Sequence, residues 1–415
     1  TKQFYLESSG MIEMRNKMKE KYGINNYNFP DVKIGEEILI KENAAALNIN
    51  EYNLRQLRTE RNEGINLSDI LVDYISFNSS TFNKALENFK GKIIKETKGA
   101  LKYSLLYKGC QYDFGLGGIH GTCGAGVYKA DDEHDLILVD VSSYYPNLAI
   151  KNGFYPAHLS KIFCCVGEKL YNDRMKAKAE GDKITVGGIK LALNGALFGK
   201  SNDKFSPMYD PAFMLSITIN GQLLLCMLSE QIADVEDMKV IQINTDGILV
   251  KLHKSKRGKL DELCDNWMKL TNLKLDYDHF KLVAQRDVNN YLGEFTNGEI
   301  KFKGSFEIDK AWHKDHSMRI VPIAVREYFV NNTPVEETIT QHKDIFDFCI
   351  GFKSTREWQV EFHHVKNNSH IIDKLQKTNR YFVSRSGGGI YKRHVIEKDR
   401  LIAVLSHQSV KIFND

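Results

Sequence analysis

The sequence predicts an α+β protein. Three observations carry this. Residues 1 to about 100, and again 167 to 232, show helical apolar spacing between Gly and Asn breakers. "DLILVDV" at 135–141 is a continuous apolar run of strand length. "MKVIQINTDGILVKL" at 238–252 reads as two apolar strands around a tight polar turn. At 415 residues the chain is too long for one small core, and two to four structural units are expected.

In chain order, "MIEMRNKMKEKYG" (11–23) and "SSTFNKALENFKGKIIKETKG" (79–99) read as scaffold helices, with "FPDVKIG" (29–35) as a turn. "FGLGGIHGTCGAGVY" (114–128) holds six glycines, which suit either a hairpin turn or a backbone that closely approaches a ligand. A strand at 135–141 leads into a turn, and Pro146 falls just inside the next helix. Two helices follow, "GEKLYNDRMKAKAEG" (167–181) and "GGIKLALNGALFGKSND" (187–203), with Lys190 opening the second. "SITINGQLLLCMLSEQI" (216–232) is another helix, and after 310 helices alternate with short strands.

Hydrophobic residues make up 42% and charged residues 27%, an ordinary globular balance. A net charge of +4 says little about a polyanionic partner, so the placement of charge must decide. Seven cysteines with no zinc spacing are expected to be reduced thiols of a cytoplasmic protein. No run looks long enough to span a bilayer and no secretory signal opens the chain, so no membrane partner is expected. The chain opens on Thr1 and ends at "SVKIFND", and both ends are expected to be cuts in something longer.

Asp140 closes one apolar strand and Asp246 sits at the tip of the hairpin. Taken singly, each reads as a turn-forming Asp. As a pair at strand ends they suit Mg²⁺, which takes one or two carboxylates and completes its shell with substrate phosphates. Two such ions about 3.5–4 Å apart serve phosphoryl transfer and nuclease chemistry alike. Arg174 and Lys178 share a helical face, and Lys190 begins a mainly uncharged run. These three cations suit a triphosphate, for which a nuclease has no need.

Three stretches resemble the polymerase signatures of family B DNA polymerases, in the family's order: "DVSSYYPN" (140–147), "KLALNGALFGK" (190–200) and "NTDG" (244–247). The likeness covers the chain from about residue 109 and is nearest to compact enzymes of bacteriophage type. It implies a right-hand polymerase: an N-terminal segment at 1–108, palm at 109–160 and 206–310, short helical fingers at 161–205, and a thumb, whole or truncated, at 311–415. It implies a DNA-directed DNA polymerase with two Mg²⁺ ions, which Mn²⁺ can replace. Primer-template DNA and dNTPs are the implied partners, with replication accessory proteins as further candidates. The site would be cytoplasmic, in a host if phage-encoded.

By the same resemblance, Asp140, Asp246 and the Val141 carbonyl hold metal. Ser143 and Tyr144 meet nucleotide phosphates through the backbone, and Tyr145 lies under the sugar and excludes a 2′-hydroxyl. Arg174, Lys178 and Lys190 grip the triphosphate, with Lys190 placed to protonate pyrophosphate. Asn194 and either Phe198 or Leu197 line the nascent base pair, because "NGALFG" carries one residue more than the family pattern. Asn244 stands where the family has a first Asp, and Gly247 where it has Ser. "IKFKGSF" (300–306) resembles the lysine motif near the primer end, giving Lys301 and Lys303 as phosphate contacts or as an exposed edge strand. "GLGGIHG" (115–121) loosely resembles the template-touching glycine motif but lacks its Tyr. The basic tail, with Lys377, Arg380, Arg385, Lys392 and Arg393 and no nearby acids, resembles thumb elements that close over duplex. No exonuclease motif is found, and "DDEHD" at 131–135 reads as a solvated turn. The gaps Asp140–Lys190 and Lys190–Asp246, 50 and 56 positions, leave no room for a domain that holds a priming protein. The alternatives are a catalytically weakened DNA-binding relative and a two-metal nuclease.

Overall fold

A computed structural model describes residues 5–6, 8–97, 101–308, 310, 315, 317–405 and 408–413. Thr1 and the last two residues, on which the expectation of cut ends rests, lie outside them. The fold is mixed, with antiparallel sheets and helices, and the chain divides into two compact units, Thr1–Leu282 and Val283–Asp415.

The first unit opens with helices α1 (Ser9–Tyr22), α2 (Asp31–Leu47) and α3 (Glu51–Gln56). The expected turn at 29–35 is corrected here, since Asp31 already starts α2. Pro30, with its fixed φ, caps that helix, and Arg15 donates to Asp31 at 2.9 Å. A short ladder pairs β1 (Ile65–Asn66) with β2 (Ile93–Ile94), around helix α4 (Ser80–Lys90).

The sheet of this unit uses β3 (Tyr103–Tyr107), β4 (Cys110–Phe114), β5 (Ile119–Thr122), β6 (Gly126–Lys129) and β7 (His134–Val141). Helices α5 (Tyr144–Asn152), α6 (Ile162–Ala179) and α7 (Lys183–Lys190) follow, and then a π-helical stretch, Leu191–Phe198. Lys190 thus ends a helix rather than opening one. Next come α8 (Pro211–Ala233), β8 (Met238–Asn244), β9 (Gly247–His253), α9 (Arg257–Thr271) and β10 (Leu275–Asp287). The antiparallel order is β3-β4-β5-β8-β9-β7-β10, which makes β7 and β9 central neighbours.

Helix α8 backs this sheet, and almost every residue from Pro211 to Ile232 is buried. It is long and apolar enough to cross a bilayer, which corrects the sequence reading, yet 94% of its apolar window is buried inside the protein. Polar anchors hold it. Asp210 accepts at its N-terminus from Ala212 N, and Arg61 donates to Asp210 at 3.0 Å. Glu230 near its end accepts from Asn78 N and Ser79 N at 2.9 and 2.8 Å. These bonds satisfy carboxylates that would be costly to bury alone.

The second unit contains the hairpin β11 (Asn290–Phe295)–β12 (Ile300–Lys303) and helices α10 (Ile320–Asn331) and α11 (Val335–Gln341). Then follow β13 (Ile350–Lys353), β14 (Trp358–Lys366), β15 (Ser369–Leu375), β16 (Thr378–His394), β17 (Leu401–Ala403) and β18 (Val410–Ile412). They form one six-stranded sheet around β16 over a small core of Val360, Tyr381, Ile390 and Val410. The expected alternation of helices and short strands is therefore wrong, because β16 alone runs 17 residues. Its glycines are packing residues. A Cβ on Gly387 would lie 2.1 Å from Val410 O, and one on Gly388 2.2 Å from His363 O.

Candidate active site

Strand β7 ends where β9 begins. Asp140 pairs with Gly247 across β7–β9, and Asn244 pairs with Gly247 across β8–β9. Backbone bonds shape the hairpin tip, among them one from Asp246 N to Asn244 O. Val141 N donates to Asp246 O at 2.7 Å, and Thr245 N donates to Ile119 O at 2.9 Å. Thr245 takes a left-handed φ of 45° there. Asp140 and Asp246 thereby reach one cavity of about 280 Å³. A Cβ on Gly247 would lie 2.9 Å from Asp140 Oδ1. The carboxylate occupies the space a side chain at 247 would use, which is why glycine fits there.

Past β7 the backbone turns sharply. Ser143 has φ 48° and precedes α5, a left-handed conformation that costs a non-glycine residue about 1–2 kcal/mol. Arg174 on α6 donates from Nη1 to Ser143 Oγ at 2.8 Å, which ties that turn to the helix. Its Nε is buried with no partner among the described residues. Arg174, Ser143 and Val141 all line the cavity.

Tyr144 is buried, and its hydroxyl donates to Gly221 O at 2.6 Å. Tyr145 stacks on it at 5.6 Å between centroids and meets Phe198 at 4.7 Å. The Tyr145 hydroxyl donates to Gly117 O at 2.8 Å. Burial pushes both tyrosine hydroxyls well above their usual range, and the Asp246 charge adds to this, so both stay protonated donors.

The opposite wall comes from the end of α7 and the π-helical stretch, with Lys190, Asn194 and Phe198 on the cavity. Leu197 is 1% exposed and packs inward, so Phe198 is the aromatic residue of the site. The π turn of Leu191–Phe198 is what sets these two neighbouring side chains to different sides. Lys178, one turn beyond Arg174, is exposed and does not line the cavity.

Lys301, Lys303, Arg380, Arg385 and Lys392 belong to the second unit. Lys301 is exposed and Lys303 half-buried on β12. Arg380 lies 4.8 Å over the Phe346 ring and Lys392 4.7 Å over Trp358, while Arg385 is exposed. The expectation of a cluster without nearby acids fails at Arg393, which pairs with the nearly buried Glu361 at 2.8 Å and holds that carboxyl below its usual range.

Sequence reasoning did not place Thr245 or Pro146 on the cavity, which both line, and read Gly117 as part of a template-touching motif where it instead holds Tyr145. The motif strings contained all three, but their contacts are tertiary.

No group of three or more His, Cys, Asp or Glu residues able to hold a metal occurs among the described residues. Asp140, Asp246 and Val141 all line the cavity, so its acidic donors are oxygens. That suits Mg²⁺, which keeps waters and substrate oxygens in its shell, and not a closed zinc site.

No family model matches the chain, and no curated protein sequence matches it. Among solved structures it is similar to the family B DNA polymerase from the hyperthermophilic archaeon Pyrobaculum calidifontis, with 15% identity and a TM-score of 0.42. That likeness covers 68% of this chain and 42% of that one, so the chain spans less than half its length. A similarity this low bears no functional conclusion.

Proposed function

We propose that this chain is a template-directed DNA polymerase of the family B kind, which joins a primer 3′-hydroxyl to the α-phosphate of a dNTP and releases pyrophosphate. One observation carries the reading. A single cavity gathers two aspartates at adjacent strand ends, two cations on helices and an aromatic wall, from three distant parts of the sequence. On this reading 109–160 and 206–310 act as palm, 161–205 as fingers and 311–415 as thumb.

Arg174 and Lys190 bind the triphosphate, Arg with a planar fork and Lys as a point charge. Lys190 would also give a proton to pyrophosphate. Tyr145 and Phe198 lie against sugar and base, with Asn194 beside them. Asp140, Asp246 and the Val141 carbonyl would hold Mg²⁺, which when bound lowers the pKa of the attacking hydroxyl and neutralises the leaving group. The rest of the rate comes from positioning.

Extension of a labelled primer on a longer template, with Mg²⁺ and four dNTPs, tests this. The wild type extends, and Asp140→Ala or Asp246→Ala lowers the rate by about a thousandfold while primer-template binding persists. No extension by the wild type, or near-normal extension by either variant, refutes it. Degradation of the primer without dNTPs would instead identify a two-metal nuclease.

A further inference from the structure

We propose that the glycine turn at Gly117 and Gly118 sets the sugar selectivity of the site by fixing the Tyr145 ring, with Gly118 as the positioning residue. This rests on the polymerase reading above.

Several contacts restrain the ring, among them the Gly221 backbone of α8, where a Cβ would lie 3.2 Å from Tyr145 Cε1. Tyr144 stacks on one side, Phe198 lies 4.7 Å away on another, and the hydroxyl is tied to Gly117 O at 2.8 Å. The ring contacts are apolar and permit sliding. The hydroxyl bond is directional and fixes the ring along its long axis. Gly118 stands where this tether meets the acid hairpin. A Cβ there would lie 3.1 Å from Tyr145 Oη and 3.1 Å from Thr245 Cγ2. Thr245 immediately precedes Asp246, and its N–H is bonded to Ile119 O, the next residue of the same glycine segment. The turn therefore holds two things in register, the ring against the sugar and the tip that carries a metal-binding carboxylate. An added methyl must displace the Tyr145 hydroxyl or the Thr245 side chain. Discrimination against one extra hydroxyl depends on wall position at the scale of about 0.5 Å, so such a shift is read out as selectivity.

The experiment measures kcat/KM for one dNTP and its matching rNTP in primer extension, for wild type, Gly118→Ala, Tyr145→Phe and the double variant. Tyr145→Phe keeps the ring and removes the tether. The expected result is a fall of about tenfold in the dNTP:rNTP ratio for each single variant, as for loss of one hydrogen bond. The double variant falls no further, because the methyl then has no hydroxyl to displace. Thermal midpoints check that folding is retained. If the wild type extends but both single variants keep its selectivity, or the double variant multiplies their effects, this proposal is overturned and the polymerase reading stands. If the wild type does not extend at all, both fall.

Discussion

Gly247 faces Asp140 across the β7–β9 pair, and the space its missing side chain leaves is filled by the Asp140 carboxylate. The acid is thus placed by a neighbour with no functional group. Gly247→Ala puts a methyl 2.9 Å from Oδ1 and also 3.1 Å from Leu138 Cδ1 and 3.3 Å from Val139 O, so the strands leave it little room. The carboxylate must rotate away. On the proposed polymerase reading, in which Asp140 acts on the reacting atoms and not on the base, the expected outcome is a loss of about 10²-fold in kcat with a smaller change in dNTP KM. Single-turnover extension measures this. A variant as fast as wild type would show that the carboxylate works from another position.

At the scale of elements, α2 and the π-helical stretch are packed backbone to backbone. A Cβ on Gly35 would lie 2.3 Å from Leu191 O and 2.7 Å from Ala192 N. The N-terminal helices therefore brace the segment that carries Asn194 and Phe198. Gly35→Ala cannot be relieved by a side-chain rotation. It is expected to cost about 1–3 kcal/mol of stability and to raise dNTP KM, seen as a lower thermal midpoint together with weaker nucleotide saturation. An unchanged KM would mean that the brace does not set the cavity wall. The same contact shows where the sequence stops being legible. Proline and glycine in "FPDVKIG" are turn signals, and they read as a turn because nothing local reveals the Leu191 backbone. The contacts of Gly387 and Gly388 with the Val410 and His363 carbonyls are hidden from the sequence for the same reason. Asp140, Asp246, Arg174 and Lys190, by contrast, were legible from residue type and order, and the structure does bring them together. The π geometry of Leu191–Phe198 has no local signal in the sequence. Its consequence, Phe198 outward and Leu197 inward, needed the i→i+5 turn.

At the scale of the whole molecule, the net charge of +4 conceals an uneven distribution. Residues 350–413 hold twelve Lys and Arg against five Asp and Glu. The six-stranded sheet of the second unit is therefore strongly basic, although Arg393 is already paired with Glu361. Exposed cations with no protein role are suited to nucleic-acid phosphates, and each such contact releases counterions. Lys377 and Arg385 are both exposed, and no ion pair to either is found among the described residues. Replacing both with Ala is expected to weaken primer-template binding equally for all sequences. It should also reduce the slope of log K against log salt by about two. Fluorescence anisotropy between about 50 and 200 mM salt gives that slope directly. On the proposed reading, which puts sugar selectivity at the cavity of the first unit, that selectivity should not move. A slope equal to wild type would show that these two cations do not face phosphate, and the basic sheet would then need another partner.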